Sequence, residues 1–487
     1  MATEQTNPQW EGFPSDVLVD LRPRHGGGLR ERLEHGLRAA IQSRRLVAGA
    51  TLPPTRVLAA ELGISRSVVV AAYANLRADG YLEARQGAGT SVRLDERHDA
   101  APSRAAVRDR RRPVELPPMP PIRAIGGLPD PALFPRAQWL RHYRAALAEL
   151  PDPHLTYPDP RGAKALRVAL TAYLGRVRGI TCEPDRLLVC AGVTQGLTLV
   201  CRALRRGGAR RVAIEDPCFG VHREAIAMTG LEPVPIPIDE RGLDAAALDG
   251  HDVAAVLVAP AHAYPTGATL DTRRRRDLVA WARRRTALII EDDYDAEFRY
   301  DRVPIGALQG LAPDRVVYLG SASKTVSPAL RLGWAAAPPD LIGALQREKR
   351  FDDMGSGLLE QLAFARFVDR GDFARYLRRV RPIYRARRDA AIAALNALPE
   401  VRWQGAAAGL HLHVTLPGDV DMARLASVAS EHGVLVDDAA AHWADPAQAP
   451  PSLVLGYGQL SEPTIQRAIG VLATAIAAGR RDDHPAS

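Results

Sequence analysis

Between residues 94 and 123 the chain has too little apolar sequence to pack, and this divides the protein in two. His98 to Arg112 is rich in alanine and arginine, and Pro113 to Pro121 carries five prolines. Such a stretch predicts a semi-rigid linker. Folded domains are therefore expected at 14–93 and 124–480. The full 487 residues are enough for two or three domains.

The part before the linker reads as short helices followed by a hairpin. Residues 1–13 are polar and predict no packed element. From Leu29 to Leu46 apolar residues recur at helical spacing (Leu29, Leu33, Leu37, Ala40, Ile41), and Gly49 stops the run. Thr55, after Pro53 and Pro54, is placed as the N-cap of a helix over 56–62 that ends at Gly63. Ser65 is placed as the N-cap of a further helix reaching Leu76. Two helices about a glycine turn predict a helix-turn-helix, with Arg66 and Ser67 at the end that faces base edges. Residues 80–92 predict two strands joined by a glycine-rich tip, a wing able to approach a phosphate backbone closely.

After the linker, apolar strands alternate with helical segments from Leu187 onward, which predicts a mostly parallel sheet covered by helices. A smaller α+β portion is expected at about 375–478. Within the sheet region, Val316 to Trp334 starts as an apolar strand that breaks at Gly320. It then delivers Ser321, Ser323, Lys324 and Arg331. An amine among small and apolar residues is partly desolvated, so its neutral, nucleophilic form is favoured and can condense with an aldehyde. The two hydroxyls and the guanidinium suit a phosphate. Aldehyde plus phosphate points to pyridoxal 5′-phosphate (PLP). Upstream, the strand Ala287–Asp295 ends in acid, and Asp292 can hold the proton of a pyridine nitrogen. Tyr294, two residues on, would project to the same side and bond the cofactor's 3′-oxygen.

Composition narrows the setting. The net charge is +8, and nearly all of the positive charge is arginine; Lys164, Lys324 and Lys349 are the only lysines. A basic balance permits polyanion binding. The arginine run at 104, 108 and 110–112 is either a solvated stretch or an extra set of phosphate contacts. No CxxC pair occurs among the four cysteines, and neither a leader-like N-terminus nor a long apolar run is present. A cytoplasmic protein that does not span a membrane is expected. His411 and His413 stand two apart on a strand pattern, but no third ligand is apparent, so no metal is expected.

Asp-x-Tyr, Ser-x-Ser-Lys and Arg-Leu-Gly-Trp together resemble the fold-type I aminotransferase domain. Residues 14–93 resemble the GntR-type winged helix-turn-helix, through Leu52-Pro53 with Arg56, residues 58–66 and residues 86–90. The combination resembles the MocR/PdxR group of bacterial transcriptional regulators. The resemblance implies a multidomain fold, a winged helix-turn-helix joined to an α/β PLP-dependent transferase-like domain with a C-terminal α+β subdomain. It implies a head-to-tail homodimer, a double-stranded DNA operator and a small-molecule effector, either PLP or an amino acid or amine. Arg56, Ser65, Arg66, Ser67 and Gly89 would contact DNA. Val193 and Thr194 would join Ser321, Ser323 and Arg331 at the phosphate, with Tyr157 reaching in from the neighbouring subunit. Phe219 would stack on the cofactor ring.

Two departures stand out. An asparagine commonly precedes Pro-Thr-Gly in this fold; here Tyr264 does, so its bond to the 3′-oxygen falls to Tyr264 or His262. In amino-acid-handling members an arginine on the last strand clamps the substrate carboxylate; here Val454 takes that place. Losing such a pair removes roughly 1.5–3 kcal/mol, about one to two decades in affinity. The expected role is therefore sensing, with PLP itself as the favoured signal and control of vitamin B6 synthesis genes as the consequence. At most weak transaminase activity is expected, and an active aminotransferase with a DNA-binding appendage is the alternative.

Overall fold

A computed structural model describes residues 28–43, 45–85, 89–93, 122–295, 297–300 and 305–480. Residues 1–13, the wing tip at 86–88 and most of the expected linker (94–121) lie outside the described residues. The chain divides into two compact units, residues 1–117 and 118–487.

In the first unit, helix α1 (Leu29–Gln42) buries Leu33, Leu37 and Ala40, an apolar stripe one face wide. Helix α2 (Thr55–Glu61) starts one residue earlier than expected: the carbonyl of Pro54 accepts the first intrahelical bond, from Leu58, so Pro54 is the cap and Thr55 lies inside. Helix α3 (Arg66–Ala78) follows Ser65, whose hydroxyl pairs with that of Ser67 at 2.9 Å rather than with a helix amide. Strands β2 (Leu82–Arg85) and β3 (Gly89–Val92) form the antiparallel wing. A two-residue strand, β1 (Thr51–Leu52), joins β3 as a third member that the sequence pattern did not announce. One contiguous core runs from Leu33 and Leu37 through Leu58, Val69, Tyr73 and Leu76 to Leu82 and Val92. The Tyr73 hydroxyl donates to the Pro53 carbonyl at 3.0 Å, fixing the α2 entry against α3.

The second unit is built on eight strands: β5 (Leu187–Cys190), β6 (Arg211–Asp216), β7 (Glu232–Asp239), β8 (Gly242–Leu243), β9 (Ala255–Val258), β10 (Leu288–Asp293), β11 (Val316–Ser321) and β12 (Gly333–Ala336). Their order in the sheet is β5-β12-β11-β10-β9-β6-β7-β8. The pairs β11–β10, β10–β9, β9–β6 and β6–β7 are parallel, while β12 and β8 run antiparallel to their neighbours. Continuous apolar strands such as Leu187–Cys190 and Ala255–Val258 follow from burial of both faces. Alternate residues serve opposite faces: Ile214, Leu257 and Ile290 pack with helix α6 (Val193–Arg206), whereas Ala213, Val256 and Ile289 pack with helix α8 (Thr272–Arg285). Between them, helix α7 (Gly220–Met228) follows β6. Gly320, expected to break β11, is inside the strand, paired with Asp293.

Beyond the sheet, a 24-residue helix (Asp372–Leu395) precedes the antiparallel strands β13 (Arg402–Gln404), β14 (His411–Thr415) and β16 (Ser452–Gly456). With helix Met422–Glu431 and helix Glu462–Gly479 they form the α+β portion. Ile122–Arg123, at the end of the stretch expected to be linker, is a strand paired in parallel with Val434–Leu435. The reason is apolar: Ile122 closes the proline-rich run and is buried in this unit's core.

Candidate functional site

The carboxyl ends of β10 and β11 lie side by side, with Asp292 opposite Leu319 and Asp293 opposite Gly320. In open α/β sheets this edge is where ligands bind. Lys324 sits in the turn after β11 and is partly buried. Burial lowers its amine pKa from the usual lysine value, and the charges of Asp295 and Asp292 oppose that shift. Backbone crosses close above it: a Cβ on Gly127 would stand 3.5 Å from Lys324 Nζ, and one on Gly126 would stand 3.0 Å from the Tyr264 hydroxyl and collide with Val454.

Asp292 is buried, and its Oδ1 has no hydrogen-bond partner among the described residues. Its Oδ2 lies 3.7 Å from His222 Nδ1. Burial holds the Asp292 carboxyl well above the usual carboxylate range, helped by Asp293, Asp295 and Glu215 and countered by Lys324. His222 was not singled out from sequence. The available signal was its position three residues after Phe219, which puts both on one side of the entry to α7. The Phe219 ring meets His222 edge-on at 5.1 Å and Tyr264 at 5.6 Å. Burial, then the charge of Lys324, brings the His222 pKa down to about 4, so the imidazole is neutral.

A second cluster forms where α6 begins. Gly192 adopts φ 125°, and a Cβ there would lie 3.4 Å from an Arg331 guanidinium nitrogen. Arg331 itself is left-handed, at φ 50°, a costly conformation for a residue with a side chain. The helix N-terminus contributes free amides and the positive end of its dipole, and Arg331 adds a full cation. Thr194 is half-buried in the first turn, and the Val193 side chain packs on the core, leaving its backbone N–H as its contribution. Ser321 is buried at the end of β11 and accepts from the Ser323 amide at 3.3 Å. The turn is fastened from behind. Gln195 Oε1 accepts from the Ala191 amide at 2.7 Å and from the fully buried Lys349 at 2.9 Å. Nothing in the local sequence announces that brace, because Lys349 is more than 150 positions away.

Tyr294 departs from its expected placement. Strand β10 ends at Asp293, so two-residue alternation no longer governs it. Its hydroxyl lies 3.1 Å from His262 Nδ1. That nitrogen also meets Asp295 Oδ2 at 2.8 Å, while His262 Nε2 faces the Gly405 carbonyl at 3.2 Å. His411 packs against His262 with ring centres 4.9 Å apart. Polar atoms of His262, Asp295 and His411 fall within 4.8 Å of one another. The third ligand type missing from the sequence pattern is thus present in space, but it joins His411 without His413, whose ring lies tilted beside Trp443 at 6.0 Å instead. His262 and Asp295 already bond directly to each other.

Tyr264 stands among Phe219, His411 and His442, the last two at 4.9 Å. Val454 is fully buried. Tyr157 is 78% exposed and makes no ring contact with this group. In the first unit Arg56, Ser65, Arg66, Ser67 and Gly89 are all exposed.

Residues 136–471 match the family model for aminotransferase class I and II, and residues 29–92 match that for bacterial regulatory proteins of the gntR family. The chain is 32% identical over 467 residues to the HTH-type pyridoxine biosynthesis transcriptional regulator PdxR of Corynebacterium glutamicum, covering 96% of this chain and all of that protein. It is 32% identical over 383 residues to the probable rhizopine catabolism regulatory protein MocR of Rhizobium meliloti, covering 75% and 76%. It is 31% identical over 481 residues to the HTH-type transcriptional regulator TauR of Rhodobacter capsulatus, covering 94% and 98%. Among solved structures, the multiple substrate aminotransferase of Thermococcus profundus matches with TM-score 0.68 at 26% identity, over 73% of this chain and 91% of that one. PLP is the cofactor of this fold, and the residues present fit it: Asp292 offers a buried acceptor without a partner, Lys324 an amine, and Gly192 with Arg331 an anion cradle. The chain belongs to the MocR/PdxR-type HTH transcriptional regulators, in which a gntR-family DNA-binding domain is joined to an aminotransferase class I and II domain.

Proposed function

We propose that the chain acts in the cytoplasm as a homodimeric sensor of PLP, with a DNA-binding domain at 14–93, a large domain that starts by Ile122 and runs to 480, and control of vitamin B6 synthesis genes as its output. The observation that carries this reading is Val454. It is buried where a carboxylate clamp would be needed, directly beneath the backbone that covers Lys324. The site offers anchors for PLP but puts an apolar side chain where an amino-acid substrate would need a cation.

When bound, PLP supplies an aldehyde that captures amines and a ring that withdraws electrons. Lys324, with its depressed amine pKa, is the group that binds the aldehyde carbon. Asp292 holds the ring-nitrogen proton; a cation there relieves the cost of burying its carboxylate. His222, kept neutral, stands 3.7 Å from Asp292, and Phe219 would cover the ring. Arg331, Ser321, Ser323, Thr194 and the Val193 amide hold the phosphate, with Tyr157 supplied by the partner subunit. Tyr264 would serve the 3′-oxygen, while the Tyr294 hydroxyl is held against His262. Loading the site alters regulation only if the cofactor binds more tightly to one arrangement of the dimer than to another.

The test is borohydride reduction of full-length protein saturated with PLP, then digestion and mass analysis. A pyridoxyl group is expected on Lys324 and on neither Lys164 nor Lys349. Its absence from Lys324 would sink the proposal. Footprinting with and without PLP, and with amino acids, separates the two effector classes.

A further inference from the structure

We propose that Val70 reads the 5-methyl group of a thymine in the operator, about two base pairs from the base contacted by Arg66. The inference rests on DNA binding by the gntR-type unit and goes beyond it by naming the base and the reading residue.

Helix α3 buries Val69, Ala72, Tyr73 and Leu76 in the core of its unit. Its opposite side carries Arg66, Val70, Ala74 and Arg77 at spacings of four, four and three, a single stripe along the helix, and all four are exposed. No acidic side chain interrupts that stripe. A cation stands at each end, and two apolar side chains lie between them. Val70 is 44% exposed. Isolated apolar residues on a surface are ordinary. This one is held between two arginines on the face of the helix that the motif turns toward the major groove. A valine on a helix is confined mostly to one rotamer, so its methyl groups are already fixed before contact.

Beyond the first turn, the amide side chain of α3 that could read a base is otherwise engaged. Asn75, the amide side chain of α3, donates to Glu34 Oε1 at 2.7 Å. That bond takes it out of the bidentate pairing by which an asparagine recognises adenine. Ser65 and Ser67 pair with each other at the helix start, beside Arg66. The second turn therefore presents Val70 to the base edges. The major-groove feature that an aliphatic group recognises is the thymine methyl. Four residues of helix advance about 6 Å, and successive base pairs advance about 3.4 Å. The thymine therefore falls about two steps from the Arg66 contact, for which guanine is the best bidentate partner.

The experiment uses the full-length protein loaded with PLP. A bound sequence is selected from random duplexes, and each thymine of the half-site is replaced in turn by deoxyuridine, which removes only the methyl group. One position is expected to lose affinity roughly three- to tenfold with the wild-type protein. Val70→Ala is expected to bind the same sequence but to show no penalty at that position. Full affinity for every deoxyuridine duplex, or an unchanged penalty in Val70→Ala, overturns the proposal while leaving DNA binding intact. Failure to select any sequence overturns the DNA-binding reading itself, and this inference with it.

Discussion

His262 and Asp295 meet across 33 positions of sequence, with Nδ1 2.8 Å from Oδ2, both side chains buried. The other ring nitrogen faces the Gly405 carbonyl. The ring of His262 thus stands between a carboxyl group on one side and a backbone carbonyl on the other. The Tyr294 hydroxyl lies against the same nitrogen. The pair therefore fixes where the Tyr294 hydroxyl stands.

Breaking the pair from one side leaves a buried polar side chain without its nearest partner. His262→Ala is expected to destabilise the large unit by roughly 3–5 kcal/mol. The double variant His262→Ala, Asp295→Ala should recover a measurable part of that loss. Urea unfolding of the four members of the cycle checks it. Strict additivity would mean that the two side chains do not interact.

Asp292→Asn is expected to keep the fold and weaken PLP. Removing a charge-assisted contact costs roughly 1.5–3 kcal/mol, which is about one to two decades in Kd. Equilibrium dialysis of the cofactor against both proteins measures this directly. Equal affinities would show that the carboxyl does not face the ring nitrogen.

Glu215 gives a pH signal of known sign. It is buried, accepts the Ala259 amide at 2.9 Å, and burial pushes its pKa up to about 7. A carboxyl with a raised folded-state pKa contributes stability that is fully present below its unfolded value and is lost as pH rises through about 7. Glu215→Gln should therefore be little changed at pH 5 and gain relative to wild type at pH 8, by on the order of 3 kcal/mol. Paired urea melts at the two pH values decide it. A constant difference would rule out titration of this group on unfolding.

Arg66→Ala should lower specific DNA affinity by roughly 1–3 kcal/mol while leaving cofactor absorption and PLP affinity unchanged. Mobility shifts and an absorption spectrum on one preparation test both halves. Unchanged DNA affinity would mean that the start of α3 does not enter the groove.

Much of the architecture was written locally. Helical spacing from Leu29 and the apolar runs at Leu187 and Ala255 each state their own structure, because periodicity acts over a few residues. Asp292 and Lys324 could be singled out for the same reason, since each lies at or just past the carboxyl end of an apolar strand. Local pattern misled where a partner decided the outcome. Thr55 looked like a cap until the Pro54 carbonyl took the first helix bond, and His411 looked paired with His413 until folding set it beside His262 and Asp295. The brace of Lys349 on Gln195, the link from His222 to Asp292 and the valine under the Gly126–Gly127 backbone were fixed only by the tertiary structure. Each depends on which segments packing brings together, and neither spacing nor propensity carries that information.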